Sequence, residues 1–307
     1  MNYKICSIVV TFNRKSLLSL NIDSLLMQSY KTDILIIDNA STDGTEEYIK
    51  SRYDFKENSI TYYNTEKNIG GSGGFYTGLK LASESNKYNY YWLMDDDGRP
   101  VNSDTLQKLV DYLPQAKDYD IVNSLVVQED NESLTFGLAN YHKRSQIKES
   151  IVFGYNNPFN GTLIPHKLVT KMGLPRKEFF IGYDEVEYMA RCKRNGGELI
   201  TLTDSLYFHP LPKMPTYKLF GRTVAVYDGG WKQYYRLRNT ICFEKEYFGK
   251  IRAIKTSICT VLYVLAFTKP NKLKVLRTII HATVDGYNGD FSVNDFHITN
   301  TYKKNRF

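Results

Sequence analysis

Two hydrophobic rhythms alternate over the first hundred residues. ICSIVVT (5–11) and DILIID (33–38) are apolar runs with almost no polar interruption, which predicts parallel strands buried on both faces. Residues 59–64 and 90–94 predict a third and a fourth strand. Helical spacing lies between them. In 16–29, Leu17, Leu20, Leu25 and Leu26 can share one face. STDGTE (41–46) has turn and N-cap chemistry and leads into a short helix at 47–52. The Gly-rich stretch 68–78 opens a helix that runs to about 85. Strands alternating with helices predict a doubly wound α/β sheet.

Such a sheet gathers its ligands beyond the carboxyl ends of its strands. Here those ends carry Thr11-Phe12-Asn13-Arg14, Asp38-Asn39, the run from Asn68 to Gly74, and Asp95–Asp97. All four polar clusters are expected on one edge. Further on, 105–113 predicts a helix and 121–127 a strand. Residues 153–165 read as irregular, and 178–195 as a turn followed by an amphipathic helix. Residues 198–208 read as a strand that stops at His209-Pro210. The pattern changes after Pro212: a mobile loop is expected at 213–230, a helix at 231–247, and one or two helices over 250–286. The expected division is therefore 1–212 for the α/β domain and 213–307 for a loop and basic helical region.

Composition narrows the classes. A chain of 307 residues with 42% hydrophobic residues can bury a sizeable core. Its net charge of +7 suits an anionic ligand, nucleic acid or an anionic membrane surface. No nucleic-acid recognition motif accompanies the charge, so a nucleic-acid partner is not expected. Cys6, Cys192, Cys242 and Cys259 lack metal-site spacing and read as reduced cysteines of a cytosolic protein. No signal peptide and no run of 18 apolar residues is found, so neither secretion nor a membrane span is expected. From Lys245 to Arg277, eight Lys or Arg stand against Glu246 alone, around the apolar run 258–267. That run is too short to cross a bilayer but could lie on one; helices packing on the catalytic domain or on another subunit fit equally well.

The sharpest chemistry is in YYWLMDDDGRP (90–100), where a hydrophobic strand runs straight into Asp95, Asp96 and Asp97. Three adjacent carboxylates repel one another and persist in a folded site mainly when a cation neutralises them. Asp95 and Asp97, two apart in an extended turn, can point to one side and engage Mg²⁺ or Mn²⁺, which also bind substrate phosphates. A solvated acidic turn is the plain alternative. NIGGSGGFYTG (68–78) is neither a Walker A loop nor, after the third strand, a standard dinucleotide fingerprint. Its glycines permit close approach to a bulky ligand, or serve only a tight turn. Asp38 can accept a hydrogen bond from a nucleobase imide or a ribose hydroxyl, or cap the turn that follows it. Asp184, Glu185 and Glu187 open a helix, as dipole partners or with one acting as a general base. Arg191 and Arg194 follow on that helix and could pair with them. His209 could be structural or a third protein ligand for the cation. In GGWKQYYRLRN (229–239), the aromatic and Arg residues could bind a sugar, a phosphate or lipid head groups, or form a core-facing stripe.

The succession VVTFNR, IIDNASTDGT, NIGGSGGF, WLMDDD, YDEVEY and FHP over residues 5–210 resembles the family-2 glycosyltransferases of the GT-A fold. The resemblance implies a Rossmann-like, mostly parallel nucleotide-diphospho-sugar transferase fold with a C-terminal helical region. It also implies inverting transfer of a sugar from a nucleotide-sugar donor. The triple aspartate with GGSGGF is most similar to the galactofuranosyltransferase-like branch, with UDP-galactofuranose as donor. YYRLRN and the basic tail resemble bacterial rhamnosyltransferases, with dTDP-rhamnose. Carried over to this chain, Thr11, Asn13, Arg14 and Asp38 would line the nucleobase pocket. Asn68, Gly71, Gly73 and Gly74 would pack on the nucleotide and donor sugar. Asp95, Asp97 and His209 would hold Mn²⁺ or Mg²⁺, and Asp96 would face the ribose or sugar. Glu185, favoured over Asp184, would be the base; Trp231 and Tyr234 would meet the acceptor. The expected acceptor is a lipid-linked bacterial surface glycan at the cytoplasmic face of the membrane, and oligomers are compatible with the sequence. Two rivals remain: a sugar nucleotidyltransferase, which would carry a basic Gly-rich loop where FNRKS stands, and a catalytically idle glycan- or partner-binding module.

Overall fold

The computed structural model describes residues 2–138, 140–155, 158–211, 216–219, 222–225, 230–268 and 271–293. Contacts divide the chain into two units. The first comprises the described parts of Met1–Lys177 and Glu185–Leu211; the second comprises Glu178–Asp184 and the described part of Pro212–Phe307. The short segment 178–184 thus groups with the C-terminal helices although it lies far from them in sequence.

In the first unit the chain runs β1 (Ile5–Thr11), α1 (Lys15–Leu26), β2 (Asp33–Asp38), α2 (Thr45–Arg52), β3 (Ile60–Asn64), α3 (Gly70–Glu84) and β4 (Tyr90–Asp95). Next come β5 (Arg99–Pro100), α4 (Thr105–Tyr112), β6 (Ile121–Val127), β7 (Ser133–Leu138), β8 (Tyr141–Lys143) and β9 (Ile151–Phe153). It closes with β10 (Thr162–Pro165), α5 (His166–Met172), α6 (Asp184–Arg194) and β11 (Leu199–Phe208). The sheet order is β3-β2-β1-β4-β10-β6-β11-β5. Strands β1 to β4 are mutually parallel, β10 is antiparallel to both β4 and β6, and β6 is parallel to β11. Two reversals cancel, so β11 runs with β4 and its carboxyl end emerges on the same edge.

The uninterrupted apolar runs follow from burial on both faces. Ile5 and Val9 of β1, with Ile34 and Ile36 of β2 and Trp92 and Met94 of β4, pack under α1, α2 and α4. Their alternates Ile8, Val10, Ile37 and Leu93 pack under Phe75 and Leu79 of α3, Leu168 of α5 and Met189 of α6. Gly74 and Gly78 bring α3 down onto the sheet. A Cβ at Gly74 would lie 2.5 Å from Val10 Cγ1, and one at Gly78 would lie 2.4 Å from Ile8 Cγ2.

The stretch 153–165, expected to be irregular, supplies β10 in the middle of the sheet, with Pro165 opposite Tyr90 at its end. Four residues after Gly161, the last of them a proline, carry no periodicity of their own; pairing with β4 and β6 makes them a strand. The hairpin β7–β8 and the two-residue β5 were likewise not anticipated.

In the second unit, β12 (Thr216–Leu219) and β13 (Arg222–Ala225) pair antiparallel inside the stretch expected as a loop. The other residues of 213–229 lie outside the described residues. Helices α7 (Trp231–Phe248), α8 (Lys250–Phe267) and α9 (Lys272–Asn288) share a core of Tyr235, Ile241, Ala253, Val264, Val275 and Ile279. Among the described residues no helix is long and apolar enough to cross a membrane.

Candidate active site

The turn after β4 is held from below. The Asp96 N–H donates to the Val10 carbonyl, which continues the β1–β4 pairing one residue past the strand. Asn21 of α1 donates its amide to the Gly98 carbonyl at 2.5 Å and to the Asp95 carbonyl at 3.4 Å. A Cβ on Gly98 would meet Tyr207 at 2.6 Å and Asn160 Oδ1 at 3.0 Å, so only glycine fits there.

The three aspartates then diverge. Asp96 turns inward and is 4% exposed. Its Oδ2 accepts from the Thr11 hydroxyl (2.7 Å) and the Phe12 N–H (3.4 Å), and its Oδ1 meets Arg14 at 3.2 Å. This geometry locks the turn to β1 and leaves Asp96 little to offer a ribose. Asp97 receives Arg14 at 2.6 Å on one oxygen and faces His209 Nε2 at 3.3 Å with the other. Asp95 Oδ2 accepts from the Asn160 amide at 3.3 Å. Ligand atoms of Asp95, Asp97 and His209 all lie within 4.8 Å of one another.

These residues suit a hard divalent cation on three counts. Three carboxylates against the Arg14 guanidinium leave two negative charges in excess when all are ionised. Burial, then the neighbouring Asp97, pushes the Asp95 carboxyl up to about 7; burial pushes Asp96 up to about 6 despite Arg14. Burial also opposes ionisation of Asp97, but His209 and Arg14 outweigh it and hold Asp97 below the usual carboxylate range. Burial alone would lower His209, yet Asp97 and Asp95 raise it. Third, His209 Nδ1 lies 2.7 Å from the Pro210 carbonyl, so that nitrogen donates and Nε2 is the one directed at the cluster. A neutral Nε2 with two carboxylate oxygens is a donor set for Mn²⁺ or Mg²⁺.

Other candidates take structural positions. Asp38 is buried; it accepts from the Ser41 N–H (3.0 Å), the Ser41 hydroxyl (2.5 Å) and the Tyr62 hydroxyl (2.6 Å). Of its two sequence readings, the geometry is that of the turn cap. Asn13, in the left-handed region at φ 54, accepts from the Thr42 N–H at 2.7 Å and braces the same turn. Asn68 caps the Gly70 N–H at 2.8 Å. Gly74 faces Val10 and Gly73 faces Ile69, whereas Gly71 has open space where a side chain would be.

At the start of α6, Asp184 is 5% exposed and Glu185 only partly buried. Glu187 is buried in a two-pronged pair with Arg191, whose guanidinium also donates to the Met172 and Leu174 carbonyls. Glu187 is thereby an architectural acid. Trp231 is partly buried, while Tyr234 is buried and donates its hydroxyl to Asp285 at 2.6 Å. Of the two readings of 229–239, Arg238 follows the core-facing one: its side chain is fully buried, and it donates to the Glu178, Phe179 and Val293 carbonyls and to Asn239 Oδ1. Asn21 and Asn160, which fix the aspartate turn, were missed. Asn21 looked like part of a helix's polar side, and Asn160 fell in the stretch read as irregular.

The family model for glycosyl transferase family 2 matches residues 6–179. The chain belongs to that family, and it is a hexosyltransferase of GT-A fold. It is 28% identical over 218 residues to galactofuranosyltransferase GlfT1 of Mycolicibacterium smegmatis, covering 67% of this chain and 70% of that protein. It is 20% identical over 299 residues to dTDP-rhamnosyl transferase RfbF of Shigella flexneri, covering 94% and 97%. Among solved structures, S. aureus TarS 1-349 superposes with a TM-score of 0.61 at 14% identity, over 97% of this chain and 87% of that one. Mannosyltransferase PcManGT of Pyrobaculum calidifontis, in complex with GDP-Man and Mn²⁺, gives a TM-score of 0.55 at 15% identity, over 99% and 87%.

Proposed function

We propose that this enzyme is an inverting, divalent-cation-dependent transferase that moves galactofuranose from UDP-galactofuranose to a hydroxyl of a lipid-linked bacterial surface glycan. The observation that carries the reading is the cluster of Asp95, Asp97 and His209 at the carboxyl edge, in a chain similar to galactofuranosyltransferases. A bound Mn²⁺ or Mg²⁺ supplies Lewis-acid stabilisation of the negative charge on the departing diphosphate. Asp95, Asp97 and His209 would hold that ion, and Arg14, paired with Asp96 and Asp97, fixes the Asp97 carboxylate beside the nucleotide pocket. Glu185, at the first turn of α6, accepts the proton of the acceptor hydroxyl as that oxygen attacks the anomeric carbon from the face opposite the leaving group. Partial exposure favours Glu185 over the buried Asp184 for this role. Asn13 and Asp38 shape the wall beside the nucleobase through the turn they brace, Thr11 lies beside it on Asp96, and Gly71 leaves room for donor sugar.

We assign the catalytic role to 1–212, and membrane docking to the helices of 213–307, with Trp231 nearest the acceptor. On α8, Ile251, Ile254, Ile258, Leu262 and Leu265 form an exposed stripe at helical spacing; Ile251 is 85% exposed. On α9, Leu273, Ile280 and Val284 are exposed as well. No Asp or Glu lies between Glu246 and Asp285, while Lys250, Arg252, Lys255, Lys272, Lys274 and Arg277 do. Apolar stripes with a purely basic fringe suit an anionic bilayer surface. The enzyme then works peripherally at the inner face of the cell membrane, where lipid-linked acceptors are held. Sedimentation with vesicles should rise with the fraction of anionic lipid; binding indifferent to anionic lipid would count against this dock.

The similarity to RfbF supports a second reading, transfer of rhamnose from dTDP-rhamnose. Calorimetric titration with UDP and with dTDP, each with and without Mn²⁺, separates the two. Metal-dependent UDP binding that disappears in an Asp95→Ala, Asp97→Ala variant supports the first reading. A dTDP preference supports the second. No metal-dependent binding of either nucleotide would overturn the cation assignment and favour a binding module.

A further inference from the structure

We infer that Arg238 and Asn239 of α7 are positioning residues for the proton-accepting carboxylate, because they hold the backbone of residues 178–182 that leads directly into α6. The inference rests on the reading of Glu185, or its neighbour Asp184, as the base.

The segment 178–183 has an awkward backbone. Phe180, Gly182 and Tyr183 all lie in the left-handed region, at φ 64, 75 and 71. Glycine adopts that conformation freely, but an aromatic residue does so at a cost in strain and needs its surroundings to hold it there. Two adjacent side chains of one helix supply the hold. Asn239 directs its amide nitrogen at the carbonyls of Phe179 (2.9 Å), Ile181 (3.2 Å) and Gly182 (2.7 Å). Arg238 donates to the carbonyls of Glu178 (3.0 Å) and Phe179 (3.1 Å), and to that of Val293 (2.9 Å). The two are locked together: Arg238 Nε donates to Asn239 Oδ1 at 3.1 Å. An arginine only donates, so this contact fixes which end of the Asn239 amide is oxygen and turns its NH₂ to the loop. Aromatic rings complete the cage. Tyr235 and Phe291 lie 4.9 and 4.8 Å from the guanidinium, and Phe180 stacks on Tyr235 at 4.8 Å.

Neither residue faces a substrate, since both are fully buried and their donors go to backbone carbonyls or, for Arg238 Nε, to Asn239. What they fix instead is the path of the chain into Asp184 and Glu185. A carboxylate that must meet a hydroxyl proton within hydrogen-bond reach tolerates little displacement, and about 1 Å can cost ~100-fold in rate. The signature of this role is a fall in turnover that acts through the base and spares nucleotide binding.

The test is a double-mutant cycle in the full-length enzyme, with release of nucleoside diphosphate from the donor it turns over as the readout. Asn239→Ala should lower kcat ~10–100-fold. Its UDP dissociation constant in Mn²⁺ should stay within about twofold, and amide exchange should quicken at 178–184. Glu185→Gln should lower kcat by ~100-fold or more. In the Glu185→Gln background, Asn239→Ala should then lower kcat less than about threefold, because groups acting through one another are not additive. Effects that multiply in full, or an Asn239→Ala enzyme with unchanged kcat, would overturn the inference. If Glu185→Gln keeps its activity, the base reading has failed at Glu185, and the same cycle with Asp184→Asn decides the positioning role. If both acid variants keep their activity, the base reading and the positioning role fall together. Should Asn239→Ala not fold, Asn239→Ser and Arg238→Lys keep part of the donor set and carry the same cycle.

Discussion

Two buried clusters of charge, one at the carboxyl edge of the sheet and one in the C-terminal helices, are resolved in opposite ways. Around Asp95 and Asp97, carboxylates outnumber the Arg14 guanidinium, and burial drives Asp95 towards its neutral form. Around Arg238, each donor meets a carbonyl or the Asn239 oxygen, and rings cover the faces. Burial still presses Arg238 below its ordinary value, yet no further ligand is needed. A buried charge whose neighbours leave a surplus of one sign calls for a partner from outside; one whose neighbours are backbone dipoles is architecture. The tyrosine- and arginine-rich stretch 229–239 was open to a ligand or a core-facing role on composition, and Arg238 takes the core-facing one.

The comparison can be broken by substitution. The largest effect is expected at the acidic cluster: Asp95→Asn with Asp97→Asn should cut turnover by roughly 1,000-fold or more, about 4 kcal/mol. Asp95→Asn alone should raise the melting temperature of the metal-free protein, because burial and Asp97 oppose the Asp95 charge. A variant that lost stability while keeping activity would make the cluster architectural. Next, Arg238→Met should cost about 3–5 kcal/mol in urea unfolding, since it strands three buried carbonyls and empties the cage. Losing much less would mean water replaces the guanidinium.

The pH response follows from signs. Asp95 and His209 both hold protons more tightly in the fold than outside it. Their stabilising contribution is present at low pH and is lost as pH rises through about 7 for Asp95. The metal-free protein should thus lose stability progressively from about pH 4 up to about 7 as Asp95 gives up its proton, with His209 extending the fall above its ordinary 6.5, while Asp97, held low, stays ionised throughout. Mn²⁺ must displace those protons, so its affinity should weaken as pH falls through the same window, up to ~10-fold per unit. Calorimetry at three pH values checks this, and a flat profile would remove Asp95 from the ligand set.

Smaller effects test the packing. Gly78→Ala puts a methyl group 2.4 Å from Ile8 Cγ2 and should cost about 1–3 kcal/mol, read as a lower urea midpoint. Gly71→Ala meets nothing within 4 Å and should be nearly neutral for folding, so any loss of donor affinity there would mark a ligand wall. Smallest for stability, Ile258→Ser with Leu262→Ser should change unfolding by less than about 1 kcal/mol, while weakening attachment to anionic vesicles.

The strand-end clusters were legible because their cause is local. An unbroken apolar run must be buried on both faces, a parallel order puts every carboxyl end on one edge, and the polar residues that follow each run must meet there. That reasoning brings the clusters through Asp95–Asp97 to one edge. It left His209 open between a structural and a ligand role; the resemblance implied that it joins Asp95 and Asp97, and the structure places it beside them although Asp97 and His209 are more than a hundred residues apart. Strand β10 was not legible, since four residues near a glycine and a proline become a strand only through neighbours on both sides. Nor could one-dimensional spacing assign what a polar side chain points at. Spacing offered the Glu187–Arg191 pair and left Asp38 open between ligand and turn, but it did not show Asp96 turning to Thr11, or Arg238 with Asn239 turning to the loop before α6. The sequence by itself determined the layers, the edge and the chemistry available there. Only the tertiary structure decided which of those groups are spent on the protein's own backbone and which remain for a ligand, because a hydrogen bond depends on where two chain segments meet, and local composition carries no record of that meeting.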